Sequence, residues 1–250
     1  VYKRQPLSIR DSVEVGARRE DGTIRGWVKK EKDGAASLKA SIRHHPPING
    51  FEQLNMDPIH ATLERIENNA GKGSIPLPYS RSCFVCGSER NEPGLERRFF
   101  CVEGGKSKIA FTYIGLDPDD RDRFHRFRLD NGQAHPGTLI SVLDETLGWS
   151  GFVETLQGGV TVKLEVDIHR PADPGEKMLC FGICTGIRGR DPQRQFWFSE
   201  GAILPMGDGD LTPIMTARGQ WLSIPNLTEE MKQHLIPRDW LQRWFGPEGG

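Results

Sequence analysis

The clearest pattern in the chain is a strict alternation from Val160 to His169. Val160, Val162, Leu164, Val166 and Ile168 take turns with Thr161, Lys163, Glu165, Asp167 and His169, a period of two that predicts a strand with one buried face. The turn-forming run Arg170-Pro171-Ala172-Asp173-Pro174-Gly175 stops it. Three more strands are predicted over Lys177–Ile187, Gln195–Leu204 and Ile214–Leu222, the last two separated by the turn Met206-Gly207-Asp208-Gly209-Asp210. Upstream, Glu96–Val102 and Ser107–Ile114 read as a hairpin around Glu103-Gly104-Gly105-Lys106.

One segment breaks the β pattern. Between Thr138 and Val153 the apolar positions Leu139, Ile140, Val142, Leu143, Leu147, Trp149 and Phe152 occupy more than one helical face, so the helix should be buried nearly all round. Pro136 suits its first turn, where a missing N–H costs nothing. Two strands, one buried helix and four strands fit an antiparallel sheet curled round a single central helix, an α+β architecture.

The first 78 residues differ. Val13–Gly16, Ile24–Lys30 and Ala36–Arg43 read as short strands, with Asp21-Gly22 and Asp33-Gly34 as turns. Asp57–Asn69 suggests a polar helix capped by Asp57, and Gly71–Pro78 a linker. This divides the chain into a β-rich segment (1–45), a helix and linker (46–78), a main domain (79–224) and a helical tail (225–250), with a helix from Thr228 to about His234. Strands followed by a helix loosely repeat the end of the main domain. Residues 1–45 are thus either the C-terminal half of a truncated first copy or an unrelated β-rich extension.

Composition narrows the function classes. The formal net charge is -1 over 250 residues, from 33 basic and 34 acidic side chains, so no global field gathers nucleic acid or an anionic membrane. No apolar run is long enough to span a bilayer and no signal peptide is evident. Five cysteines, an odd and sparse count, argue against a disulfide scaffold and for a cytosolic protein. The chain begins at Val1, which reads as a processed form or a piece of a longer product.

The chemistry concentrates in the run from His135 to Trp149. A carboxylate inside an apolar helix is costly unless paired or neutralised. Asp144 has Ile140 four residues before it, Gly148 four after and Leu143 beside it, whereas Glu145 could occupy the helix surface. Function would keep such an acid, and a buried ion pair to a neighbouring element would do so equally well.

This run resembles the helix signature of the hotdog-fold acyl-CoA thioesterases, a His-Gly-Gly followed by an acid nine positions after the His: Asp144 is nine after His135. The run Arg81-Ser82-Cys83-Phe84-Val85-Cys86-Gly87, with Pro93-Gly94-Leu95 behind it, is similar to the opening of one branch of that superfamily, the phenylacetate-pathway and 4-hydroxybenzoyl-CoA thioesterase-like branch. Thr161–Pro174 is similar to its strand and Arg-Pro-Gly element, so the resemblance spans about Tyr79 to Ser223. It implies a hotdog fold and hydrolysis of a small or aromatic acyl-CoA without metal or cofactor. Asp144 would be general base or nucleophile, and His135 and Gly137 would shape the carbonyl pocket. Arg170, Glu145 and Thr138 would contact substrate, although Arg170 could equally stabilise its turn. It also implies a site between two subunits, in a dimer or dimer of dimers. The sequence departs from the family at Pro136, where the usual oxyanion-donor glycine is replaced by a residue with no N–H. The rival classes are a non-catalytic module that binds acyl thioesters and a scaffold or oligomerisation protein.

Three further features have weaker claims. Cys83 and Cys86 form a C-x-x-C, but a structural zinc site needs four ligands and no second such pair exists, which favours small buried residues. His44-His45 in a proline-rich stretch reads as an ordinary loop. Arg121, Arg123, His125, Arg126 and Arg128 could meet coenzyme A phosphates, yet Asp120 and Asp122 dilute their charge, which favours a solvated loop anchored by Phe124 or Phe127.

Overall fold

A computed structural model describes the backbone of residues 13–20, 23–30 and 36–43, and most of 74–225 apart from 80–82, 89–91, 104–106, 117–119, 192–193 and 208–211. The predicted helices over 57–69 and 228–234 lie outside the described residues, save that Glu64 and Glu229 are helical. The chain separates into two compact units, 1–54 and 55–250. In the first, β1 (Val13–Glu20), β2 (Thr23–Lys30) and β3 (Ala36–Arg43) form an antiparallel meander in the order β1-β2-β3.

The second unit is built on a seven-stranded sheet. Its strands are β4 (Ile75–Pro76), β5 (Phe100–Glu103), β6 (Lys108–Ile114), β7 (Gly159–Ile168), β8 (Met178–Arg188), β9 (Phe196–Pro205) and β10 (Met215–Ser223). They pair antiparallel throughout in the order β4-β5-β6-β8-β9-β10-β7. Among the described residues two helices lie between the strands, the short α1 (Asp120–His125) and the 20-residue α2 (Pro136–Thr155). This antiparallel sheet packed on a long central helix is the hotdog fold.

The core follows from the all-round apolar character of α2. Leu139, Val142, Leu143, Leu147, Phe152 and Val153 are each at most 3% exposed, and burial of such side chains contributes about 1.5–3 kcal/mol apiece. Between them the buried Thr146 and Ser150 satisfy their hydroxyls on the helix's own carbonyls and reach the sheet, Thr146 Oγ1 to Cys180 Sγ (3.2 Å) and Ser150 Oγ to Ser199 Oγ (2.9 Å). Glycines let helix and sheet close on each other. A Cβ on Gly182 of β8 would press on Leu147 and its backbone, and one on Gly151 would run into the indole of the buried Trp197.

Three expectations need correction. The first predicted strand of the hairpin is shorter, because Glu96 takes a left-handed φ of 51° while the Arg97 side chain folds back on the Leu95 carbonyl (2.9 Å). Ile75–Pro76 in the expected linker adds a short edge strand. The alternating strand β7 buries its apolar face only in part: Leu164 and Val166 pack against the core, whereas Val160, Val162 and Ile168 are 43–53% exposed, because a register shift against β10 skips Val162 and puts Thr161 against the central helix. In the tightly filled core, Gly151→Ala should lower stability by about 1–3 kcal/mol, the cost of overpacking. Chemical denaturation would measure this, with the surface change Thr185→Ala, at an exposed position of β8, as the near-neutral control.

Candidate functional site

The N-terminus of α2 is fixed by loop contacts. His135 donates its backbone N–H to the Phe127 carbonyl (3.0 Å), and the neighbouring Ala134 donates to Ala172 (2.9 Å). His135 is the N-cap in extended conformation (φ -65°, ψ 124°), Pro136 occupies the first helical position, and His135 Nδ1 accepts the Gly137 N–H at 3.0 Å. Thr138 donates its N–H back to the His135 carbonyl (3.0 Å) and buries its side chain. At the start of this helix, where orphan amides and the helix dipole ordinarily favour an anion, Pro136 has no N–H and the next two N–H groups are engaged by His135. The Gly137 N–H, in the expected carbonyl pocket, thus points to its own cap.

Two turns on, the paired acids diverge. Consecutive positions on a helix point about 100° apart. Asp144 faces β7 and accepts the Thr161 hydroxyl (3.0 Å to Oδ1, 3.3 Å to Oδ2). Burial raises its pKa above the usual carboxylate value, and the Thr161 hydrogen bond, which favours the ionised form, opposes that rise. Glu145 faces the loop before the hairpin, where its Oε1 accepts the Cys86 thiol at 3.3 Å. Burial pushes its pKa up to about 8, with Cys83 and Asp144 adding to the rise and Cys86 and the Trp149 indole working against it. Glu145, for which the helix surface was one option, thus faces the cysteine turn, and both acids are partly buried. Cys83, Cys86 and Glu145 place their ligand atoms within 4.8 Å of one another.

The other predicted residues have partners of their own. Arg170 ion-pairs with Glu176 (2.5 Å) and donates to the Pro171 carbonyl (3.1 Å), so it clamps its own turn. Arg123 pairs with Glu96 (2.9 Å) and Arg126 donates to the Gly94 carbonyl (3.2 Å), so both fasten the 93–96 segment. Phe124 is buried and Phe127 meets Phe84 edge-on at 5.3 Å, the aromatic anchoring that the sequence suggested, although 120–125 is helical and not a loop. Sequence reasoning missed Thr161 as the partner of Asp144, since which strand residue meets a helix residue depends on register. It also missed Glu145 as companion to the cysteines, because a carboxylate 59 residues away escapes a count of cysteine pairs.

No family model matches the chain. No curated protein matches it either. Among solved structures the chain is similar to the following proteins. The Escherichia coli PaaI protein from the phenylacetic acid degradation operon is 11% identical, with 67% of this chain and 91% of that one covered at a TM-score of 0.37. Zebra fish thioesterase superfamily member 2 is 14% identical, with 53% and 88% covered at 0.40. The phenylacetic acid degradation protein PaaI from Thermus thermophilus is 16% identical, with 46% and 85% covered at 0.36. At these values the likeness is one of fold alone, and the strand order and central helix of this chain define that fold independently. Among the described residues no helix is long and apolar enough to cross a membrane.

The cap geometry carries a direct consequence for stability. His135→Ala should cost about 0.5–2 kcal/mol, the range for losing an N-cap acceptor, and His135→Asn should recover most of it. Equilibrium denaturation of the three proteins would check both.

Proposed function

We propose that the chain is a hotdog acyl-CoA thioesterase that hydrolyses a small or aromatic acyl-CoA to the free acid and coenzyme A. The observation that carries this reading is Asp144, a partly desolvated carboxylate on the central helix with a hydroxyl holding it in place. As general base, Asp144 takes a proton from water, and the water oxygen bonds to the thioester carbon. The tetrahedral intermediate then expels the coenzyme A thiolate, which recovers that proton. As nucleophile, the same carboxylate would displace the coenzyme A thiolate to form a mixed anhydride, which water opens to the free acid and the regenerated carboxylate, its spare proton passing to the thiolate.

The helix geometry supports a site shared by two copies. Gly137 and Asp144 are seven residues apart, roughly 10 Å along the axis at ~1.5 Å per residue. One thioester carbon cannot be ~3–3.5 Å from both. A second copy would supply the helix-start group facing Asp144. The outer strand β7, unpaired on one side among the described residues and with Val160, Val162 and Ile168 exposed, suits such pairing. A membrane or nucleic acid has no part in this reading.

The engaged amides at the helix start favour a second reading, a module that binds acyl thioesters without turning them over. A hydrolysis screen over a panel of acyl-CoA thioesters, read by released thiol, separates the two. We expect slow turnover by the wild type. Pro136→Gly should raise kcat by up to about 10²–10³, the worth of one oxyanion donor, less what the looser glycine turn takes back. Binding without turnover in both proteins would select the module. An unchanged kcat in a folded Pro136→Gly would mean that another donor serves the oxygen.

A further inference from the structure

We propose that Cys83, Cys86 and Glu145 form a binding site for a zinc-class divalent cation, fastening the loop ahead of the hairpin to the central helix. The loop is wound to present both sulfurs together. Gly87 donates its N–H to the Cys83 carbonyl (2.9 Å), closing a turn, and Val85 donates its N–H to Cys83 Sγ (3.3 Å). A backbone N–H on sulfur favours the thiolate, the form that a metal takes.

The turn is braced from behind, so its shape does not depend on a metal. Leu95 donates to the Phe84 carbonyl (2.9 Å) and Arg97 to the Val85 carbonyl (2.7 Å). Gly94 is required there, since a Cβ would collide with the Phe84 carbonyl. The Pro93-Gly94-Leu95 run therefore serves the cysteine turn, and Arg126 secures it further through the Gly94 carbonyl. Such a preorganised loop costs little more to order when an ion arrives.

The third ligand comes from the helix. Zinc bonds of ~2.3 Å to sulfur and ~2.0–2.2 Å to oxygen imply ligand-atom separations of roughly 3.5–3.8 Å in a tetrahedron. All three ligand atoms lie within 4.8 Å of one another, so small side-chain adjustments would complete the set. Two sulfurs and a carboxylate suit a soft or borderline cation and discriminate against magnesium or calcium, which want oxygen alone. Three protein ligands leave a fourth position for water. The excess negative charge is met in part by Arg98, which donates to the Cys86 carbonyl (2.9 Å) and lies over the Tyr79 ring (4.2 Å).

A second observation points the same way. A thiol is a weak donor for a desolvated carboxyl group. The indole N–H of Trp149, one turn on from Glu145, is buried without a hydrogen-bond partner among the described residues. Residues four apart share a helix face, so a metal-bound Glu145 carboxylate would offer that N–H an acceptor. This inference does not rest on hydrolysis by Asp144 and stands if the chain has no esterase activity.

The test is titration of the reduced, chelator-stripped full chain with cobalt(II). We expect one equivalent to bind with a thiolate-to-cobalt charge-transfer band and the strong visible bands of a tetrahedral site, both erased by zinc. Cys83→Ser and Cys86→Ser should each cut the charge-transfer intensity by at least about half, one of two thiolates being lost, and Glu145→Gln should weaken binding and alter the visible bands. Absence of a charge-transfer band in the wild type would overturn the proposal. Identical spectra and affinity in Glu145→Gln would do the same, since the helix carboxylate would then be no ligand. Should any variant fail to fold by circular dichroism, zinc-edge absorption on the wild type decides. Two sulfurs with oxygen neighbours are expected, and no sulfur or four sulfurs would contradict the assignment.

Discussion

The structure depends on how closely α2 lies on its sheet. A helix apolar on all sides cannot be stable at a surface, and one sheet covers it only if the two surfaces nearly touch. Gly182 on the sheet and Gly151 on the helix supply that closeness, with Leu147 and Trp197 filling the space that a Cβ would take. The small polar pairs Thr146–Cys180 and Ser150–Ser199 let polar groups survive in the same interface. The chemistry of the helix inherits this dryness.

Two adjacent acids on such a helix meet different surroundings. Asp144 reaches toward the outer strand and a hydroxyl, Glu145 toward a turn of cysteines. The former arrangement suits a carboxylate that must remain partly ionised near an open edge. The latter suits a ligand or a neutral acid. Pairs of titratable groups set apart by their environments are common where one fold divides its tasks. The start of the same helix is closed by its own cap, so the conventional anion-binding end is occupied by His135.

Much of the fold was legible from the chain. The period of two over 160–168, the all-round apolar helix and the turn residues between later strands located every long element of the main domain to within a few residues. The partial exposure of β7 was not legible, because alternation does not show where a register shift exchanges the two faces of a strand. Asp144 stood out as an acid in an apolar run. Its partner Thr161 and the meeting of Glu145 with Cys86 depend on strand register and on a loop 59 residues away, which no local pattern carries. The engagement of Gly137 was hidden for a different reason. His135 was weighed as a pocket residue, while its ring nitrogen serves as an N-cap.

The most direct measurement of the central claim is kcat for Asp144→Asn on a good acyl-CoA substrate, with thermal unfolding and acyl-CoA affinity recorded beside it. The amide keeps the shape of the side chain and the Thr161 contact but cannot act as base or nucleophile. The account predicts loss of most turnover, with folding and binding retained, and a much smaller effect from Glu145→Gln. Turnover that survives in a folded Asp144→Asn, or falls more in Glu145→Gln, would contradict it.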